Sequence, residues 1–300
     1  MPRYAVYLML LFAVGAWGGS FVAARLLLAP TAPGATVLTP TLVATLRFLV
    51  ASAVFLPLLY SEQRRGRGLG VADLPRFLLL GQLGISIYFW LQYTGVQLTN
   101  AGISAVLVVG LIPLATLVIS ALTLGERLGR ARVLALAVGA VGVAVIAGQR
   151  GLDLALESGF LLGAACLVAN AFCFAVYTSW VRGLRDRYSP LATTAGLMLT
   201  GTAGLLAISL PSDDWSVVGA LDGGQWLAVL YLGLASSVLA YFFYNYALSR
   251  LEASKVAVWV YLEPPVAVVF GALLLGEVAT LPTLLGALLI LVSLVVVQRY

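Results

Sequence analysis

The sequence predicts an all-α polytopic membrane protein, with ten transmembrane helices in two inverted five-helix repeats. Three observations predict it. First, 62% of the 300 residues are hydrophobic and only 10% are charged, whereas about a quarter are charged in soluble domains. Second, apolar runs near the roughly 20 residues that cross a bilayer core follow one another with short breaks. Third, two sequence blocks recur about 150 residues apart. A membrane β-barrel would instead show short alternating segments.

The predicted spans can be justified in order. The first, 4–28, follows Arg3 and holds Trp17, the Gly18-Gly19 pair and Ser20. Its length and content favour a retained span over a cleaved signal core. The second, 41–60, carries Arg47. The third, 73–95, carries Tyr88-Phe89-Trp90-Leu91-Gln92-Tyr93. The fourth, 100–123, contains Pro113 and runs into Leu122-Thr123-Leu124-Gly125-Glu126. The fifth, 130–148, has small residues from Gly139 to Gly142 that suit close helix contact. The sixth, 158–180, holds Asn170, Tyr177 and both cysteines. Cys166 and Cys173 stand seven apart on one helix and are not placed to bridge each other. The seventh is 189–210. The eighth, 225–247, carries Tyr241-Phe242-Phe243-Tyr244-Asn245-Tyr246. The ninth, 254–275, carries Trp259, Tyr261 and Glu263-Pro264-Pro265 before Leu273-Leu274-Leu275-Gly276-Glu277. The tenth, 280–297, contains Gly286-Ala287. Proline and glycine inside spans are common in membrane helices. The longer loops, 29–40, 61–72 and 211–224, leave no room for a soluble domain.

Charge sets the orientation. With the N-terminus in the cytoplasm, 14 of the 17 basic residues fall on the inner side, and only Arg150 lies clearly in an outer loop. This is the positive-inside pattern, and an even span number returns the C-terminus to the same side. Arg25, near the outer end of its span, is suited to snorkelling. The net charge of +5 is spread over short loops, which argues against a nucleic-acid surface. There is no histidine, so histidine–zinc chemistry and Ser-His-Asp catalysis are excluded. No Walker A stretch is present. A membrane-embedded enzyme would need a cluster of catalytic groups, whereas only one acid, Glu263, lies deep within a span. The chain is therefore read as not an enzyme, with no cofactor and no metal.

The recurring blocks divide the chain. Tyr88–Tyr93 returns as Tyr241–Tyr246 at an offset of 153, and the Leu-Gly-Glu block returns at an offset of 151. Pro113 and Pro264 each stand thirteen residues before the glutamate of their block. The halves are therefore 1–150 and 151–300, with five spans each. Two copies of an odd-span unit enter the membrane from opposite sides, the arrangement found in many secondary transporters that alternate access to a midplane site. Duplication for stability alone is the competing reading, and a channel is another.

Polar and aromatic residues within spans supply the candidate substrate contacts. Tyr88 and Gln92, and Tyr241 and Asn245, are each four apart and share a helix face. A phenol and an amide on one face suit a small amphipathic solute. They suit helix–helix contact equally well. Trp17 with Ser20, Asn170 with Tyr177, and Trp259 complete the set, and each also reads as packing. Glu263 sits at a proline break, so it is a candidate for a coupling proton or a substrate ammonium. Arg47 reads as a carboxylate ligand, a partner for Glu263 or a helix cap, with the structural roles slightly favoured.

The chain resembles the drug/metabolite transporter superfamily, in its EamA-type branch. The matching residues are Trp17-Gly18-Gly19-Ser20-Phe21-Val22-Ala23, Leu46-Arg47-Phe48 and the two Pro-to-Leu-Gly-Glu blocks. The resemblance spans nearly the whole chain and is closest to exporters of aromatic amino acids. It implies a secondary carrier with its substrate between the halves. The expected partners are a small-molecule substrate, an amino acid above all, and membrane lipid, with no nucleic acid and no obligatory second subunit. The expected location is a bacterial inner membrane with both termini cytoplasmic. Export of other metabolites or drugs, and a non-transporting structural role, are the alternatives.

Overall fold

A computed structural model of the chain describes residues 3–28, 36–98, 101–126, 129–148, 159–266, 269 and 280–299. Their elements are α1 (Arg3–Leu28), α2 (Pro40–Arg64), α3 (Leu74–Gly81), α4 (Ile87–Leu98), α5 (Ala101–Leu124), α6 (Arg130–Gly148), α7 (Phe160–Arg182), α8 (Pro190–Ser212), α9 (Gly223–Gly233), α10 (Ala240–Leu248), α11 (Ala253–Ala257) and α12 (Leu281–Arg299). A π-helical segment, Gln82–Ser86, joins α3 to α4, and another, Leu234–Leu239, joins α9 to α10.

The fold is all-α. Among the described residues, seven helices are long and apolar enough to cross a membrane, and Tyr4–Ser20 forms a shorter apolar helix. The predicted count of ten is not reached there. The clearest departure is the ninth span. It is continuous as a hydropathy pattern, but it begins as the five-residue α11 and tightens to a 3-10 helix over Val258–Leu262. The proline pair explains the tightening. Pro264 and Pro265 offer no amide hydrogen to the carbonyls of Val260 and Tyr261, and Glu263 N–H instead bonds three residues back to Val260. The second Leu-Gly-Glu block, with Glu277, lies outside the described residues, as does Arg150. Large apolar side chains stand exposed on long helices, with Leu122 at 79% and Leu161 at 75% exposure. Such surfaces suit lipid rather than water.

The chain forms two compact units, and each draws on both halves of the sequence. The first contains residues 1–90 and 184–249. In it α2 packs on α8, α3 on α8, and α1 on α9 and α10. Sequence fixes the helix starts. The Thr39 hydroxyl accepts from Leu42 N–H at 3.2 Å with Pro40 at the first helical position, and Ser189 accepts from Ala192 N–H at 3.1 Å ahead of Pro190. Both are hydroxyl N-caps followed by a proline that needs no amide partner. Asp222 and Gln225 form a reciprocal capping box on α9. Where α2 meets α8, the Ser52 and Thr202 hydroxyls pair at 2.8 Å. Leu27, Leu42, Leu46, Val229 and Leu232 form part of a buried apolar core. Tyr188, which lies outside the membrane-spanning helices, donates to Asp73 at 2.7 Å, and this bond pushes the Tyr188 phenol pKa up.

The second unit contains residues 91–183 and 250–300. In it α5 packs on α6 and α7, and α6 on α12. The small residues predicted as a seam do lie at close contacts. A Cβ on Gly142 would come within 2.7 Å of the Gly286 carbonyl oxygen, and one on Gly139 within 2.4 Å of the Tyr261 ring. The Tyr261 hydroxyl shares its proton between the carbonyls of Leu136 at 2.9 Å and Gly110 at 3.1 Å.

Candidate functional site

In the first unit, a buried guanidinium and a ring cluster converge on the second π-helical segment. The wider π register withdraws carbonyls from the regular helical ladder, and such segments recur at functional sites. Ser236 shows the consequence. Its carbonyl oxygen accepts from Trp17 Nε1–H at 2.9 Å and from Arg47 Nη2–H at 3.4 Å. Arg47 Nη2 also donates to Ser236 Oγ at 3.1 Å, and its Nε donates to Ser237 Oγ at 2.9 Å. The guanidinium lies 5.0 Å from the Phe48 ring centre and 4.8 Å from that of Phe89. Close approach of the helices is allowed by Gly233, where a Cβ would come within 2.5 Å of Val50 Cβ and 3.1 Å of the Arg47 carbonyl oxygen.

Rings continue outward from this centre. Trp17 meets Tyr241 edge-on at 5.4 Å and Tyr244 at 5.2 Å. Phe48 meets Phe89 at 5.1 Å and Tyr241 at 6.1 Å, and Tyr88 meets Phe89 at 5.0 Å. All but the tilted Trp17–Tyr244 pair are edge-to-face contacts, of the kind that add to simple burial. Arg47 is 4% exposed and forms no ion pair among the described residues. A permanently charged group in that setting is costly unless something compensates it.

The predicted site residues divide between the units. Trp17, Ser20, Tyr88, Tyr241 and Asn245 belong to the first. Of these, Trp17, Tyr88 and Tyr241 share the ring cluster. Ser20 donates to the Trp17 carbonyl at 2.6 Å. Asn245 donates to Thr194 Oγ1 on α8 at 3.1 Å, so its amide serves helix contact at least in part. Tyr241 OH reaches the Gly84 carbonyl in the first π-helical segment at 3.5 Å.

Gln92, Asn170, Tyr177, Trp259 and Glu263 belong to the second unit. Asn170 and Tyr177 are fully buried, and Tyr177 stacks on Phe174 at 5.4 Å. Gln92, Trp259 and Glu263 are half-buried. Tyr88 and Gln92 therefore share a helix but belong to different units.

The second unit also gives the first Leu-Gly-Glu block a structural role. Gly125 adopts φ +69°, a left-handed turn that ends α5 without steric cost. The turn places the Glu126 carboxylate at the start of α11. There it accepts from Ala253 N–H at 2.6 Å, Ser254 N–H at 3.2 Å and Ser254 Oγ–H at 2.6 Å. Ser120 and Arg182 Nη1 donate to it as well, at 3.0 and 3.1 Å. A carboxylate suits the unpaired donors at a helix start.

Phe48, Phe89, Ser236, Ser237 and Tyr244 are not among the contacts expected from the sequence, and Arg47 is expected there with its structural roles slightly favoured over a carboxylate ligand. One signal could have pointed to them. Leu80-Gly81 and Leu232-Gly233 precede the two aromatic hexamers at nearly the repeat spacing, and each leads into a π-helical segment.

A model of the EamA-like transporter family matches residues 4–148 and again residues 161–299. An uncharacterized transporter of Archaeoglobus fulgidus is 28% identical over 293 residues, covering 98% of this chain and 98% of its own. A protein of Streptantibioticus cattleyicolor described as a probable terminal-alkyne amino-acid exporter is 31% identical over 227 residues, covering 76% of this chain and 74% of its own. A solved structure matches with a TM-score of 0.80 over 99% of this chain and 98% of its own at 21% identity, a likeness of fold alone.

Proposed function

The chain belongs to the EamA-like transporter family, and from that premise we propose that it exports amino acids with aromatic or large apolar side chains across a bacterial inner membrane by alternating access. It is a multi-pass membrane protein that carries small organic solutes, and it is not an enzyme. The observation that supports the substrate reading most is the ring cluster of Trp17, Phe48, Tyr88, Phe89 and Tyr241 around polar groups on a π-helical segment. The exporter described for Streptantibioticus cattleyicolor supports it independently.

The duplicated architecture is part of the proposal. Residues 1–150 and 151–300 form inverted five-helix repeats, with ten spans and both termini cytoplasmic. The family match falls once in each half. Ser52 and Thr202, which pair directly, stand 150 positions apart, as do the capping pairs Thr39-Pro40 and Ser189-Pro190.

Purified protein in liposomes should speed saturable movement of labelled phenylalanine or leucine. A panel of amino acids, other metabolites and drugs tests the reading. Flux confined to the other metabolites or drugs would replace the substrate class, and no protein-dependent flux of any solute would remove the transport reading.

A further inference from the structure

We propose that Arg47 is the specificity-determining residue that recognises a carboxylate on the transported solute. The proposal deepens the transport reading and rests on it. Arg47 donates through Nε and Nη2 to two serine hydroxyls and one carbonyl. These partners orient the guanidinium, and the Phe48 and Phe89 rings offset part of its charge, but no anion among the described residues pairs with it. Nη1 has no hydrogen-bond partner among the described residues, and none of the ion pairs there includes Arg47. The other buried charged residue described in this unit, Glu62, is resolved differently. It has Arg65 at 3.7 Å. Arg47 remains a buried cation held by neutral groups.

Elementary electrostatics then selects the missing partner. A guanidinium stays charged at any physiological pH, and its planar fork matches a carboxylate. Phe48 and Phe89 flank it, so an acid with an apolar or aromatic body would place its carboxylate on the charge and its side chain against rings. An amine would meet like charge, and an amide would leave the charge uncompensated. The solute class is therefore an organic acid with an apolar body, which includes a zwitterionic amino acid and excludes a simple cationic amine.

The test compares acids with matched amides on the wild-type protein: phenylalanine with phenylalaninamide, 3-phenylpropanoate with 3-phenylpropanamide, and leucine with leucinamide. Binding is read from the ligand-induced rise in thermal midpoint of purified protein, since a ligand that binds only the folded state raises it. At least one acid should bind about tenfold or more tightly than its amide, as expected for a desolvated charge contact. Arg47→Gln should remove that difference, with acid affinity falling several-fold further than amide affinity, and Arg47→Lys should keep part of it. If Arg47→Gln does not fold, the wild-type comparison decides alone. Absence of an acid preference in every pair overturns the proposal, as does equal loss of acid and amide binding in a folded Arg47→Gln. Failure of the transport reading is a separate result, namely no protein-dependent flux in liposomes whatever the binding preference.

Discussion

Glu263 is half-buried at the end of the 3-10 turn, just ahead of two prolines. No hydrogen bond or ion pair reaches it among the described residues. A carboxyl group without local partners near a helix break suits a titrating role in a coupled carrier. Glu263→Gln should therefore abolish gradient-driven accumulation while equilibrium exchange continues. Unchanged accumulation in the variant would remove that role, and loss of folded protein would make Glu263 structural. At this scale the sequence was informative where a single residue carried the signal. Trp17 and Tyr241 were legible as aromatic residues with a polar atom inside a span, and both lie in the cluster. The environment of Arg47 was not legible. Ser236 and Ser237 stand 189 and 190 positions away, and nothing local in α2 shows that two hydroxyls will meet its guanidinium.

Helix ends and interruptions carry the next level of information. The first Leu-Gly-Glu block reads in sequence as a repeat marker, and in the fold it is a cap that joins the end of α5 to the start of α11. Five donors converge on a Glu126 side chain that is 3% exposed. Glu126→Gln keeps the shape but replaces one acceptor oxygen with a donor and removes the charge facing Arg182. It should cost about 3 kcal/mol of stability, as for breaking a buried ion pair. Thermal unfolding of the purified variant checks this, and an unchanged midpoint would contradict the capping role. The residue pattern marked this block as a repeat but not as a cap, because its donors Ala253 and Ser254 lie far away in the sequence. The π-helical segments were less visible, since hydropathy does not distinguish a π turn from an α turn. Their requirements emerge only in packing. A Cβ on Gly81 would come within 2.1 Å of Thr200 Oγ1, and Gln82 reaches the Thr200 carbonyl at 2.8 Å. The tightening over Val258–Leu262 in the ninth span was hidden for a related reason, because hydropathy is blind to the two missing proline donors.

Across the whole molecule, the recurring blocks were legible in the sequence, but which distant segments pack together was not. Matching blocks at offsets of 151 and 153 divide the chain near its middle, whereas the compact units interleave segments from both sides of that division. Contacts such as α2 with α8 and α6 with α12 join distant stretches, and a one-dimensional repeat does not specify which copies pack together. The proposed inverted topology makes its own prediction. In protein lacking Cys166 and Cys173, single cysteines at Gly68 and Ser212 should label from the cytoplasmic and external faces respectively, and labelling of both from one face would refute it. The central claim is carriage of an amino acid by alternating access, and counterflow tests it most directly. Liposomes containing the protein and preloaded with unlabelled phenylalanine should take up labelled phenylalanine transiently above its external concentration, several-fold faster than empty vesicles. Uptake that is unsaturable and indifferent to internal phenylalanine would instead indicate a channel, and would contradict the account.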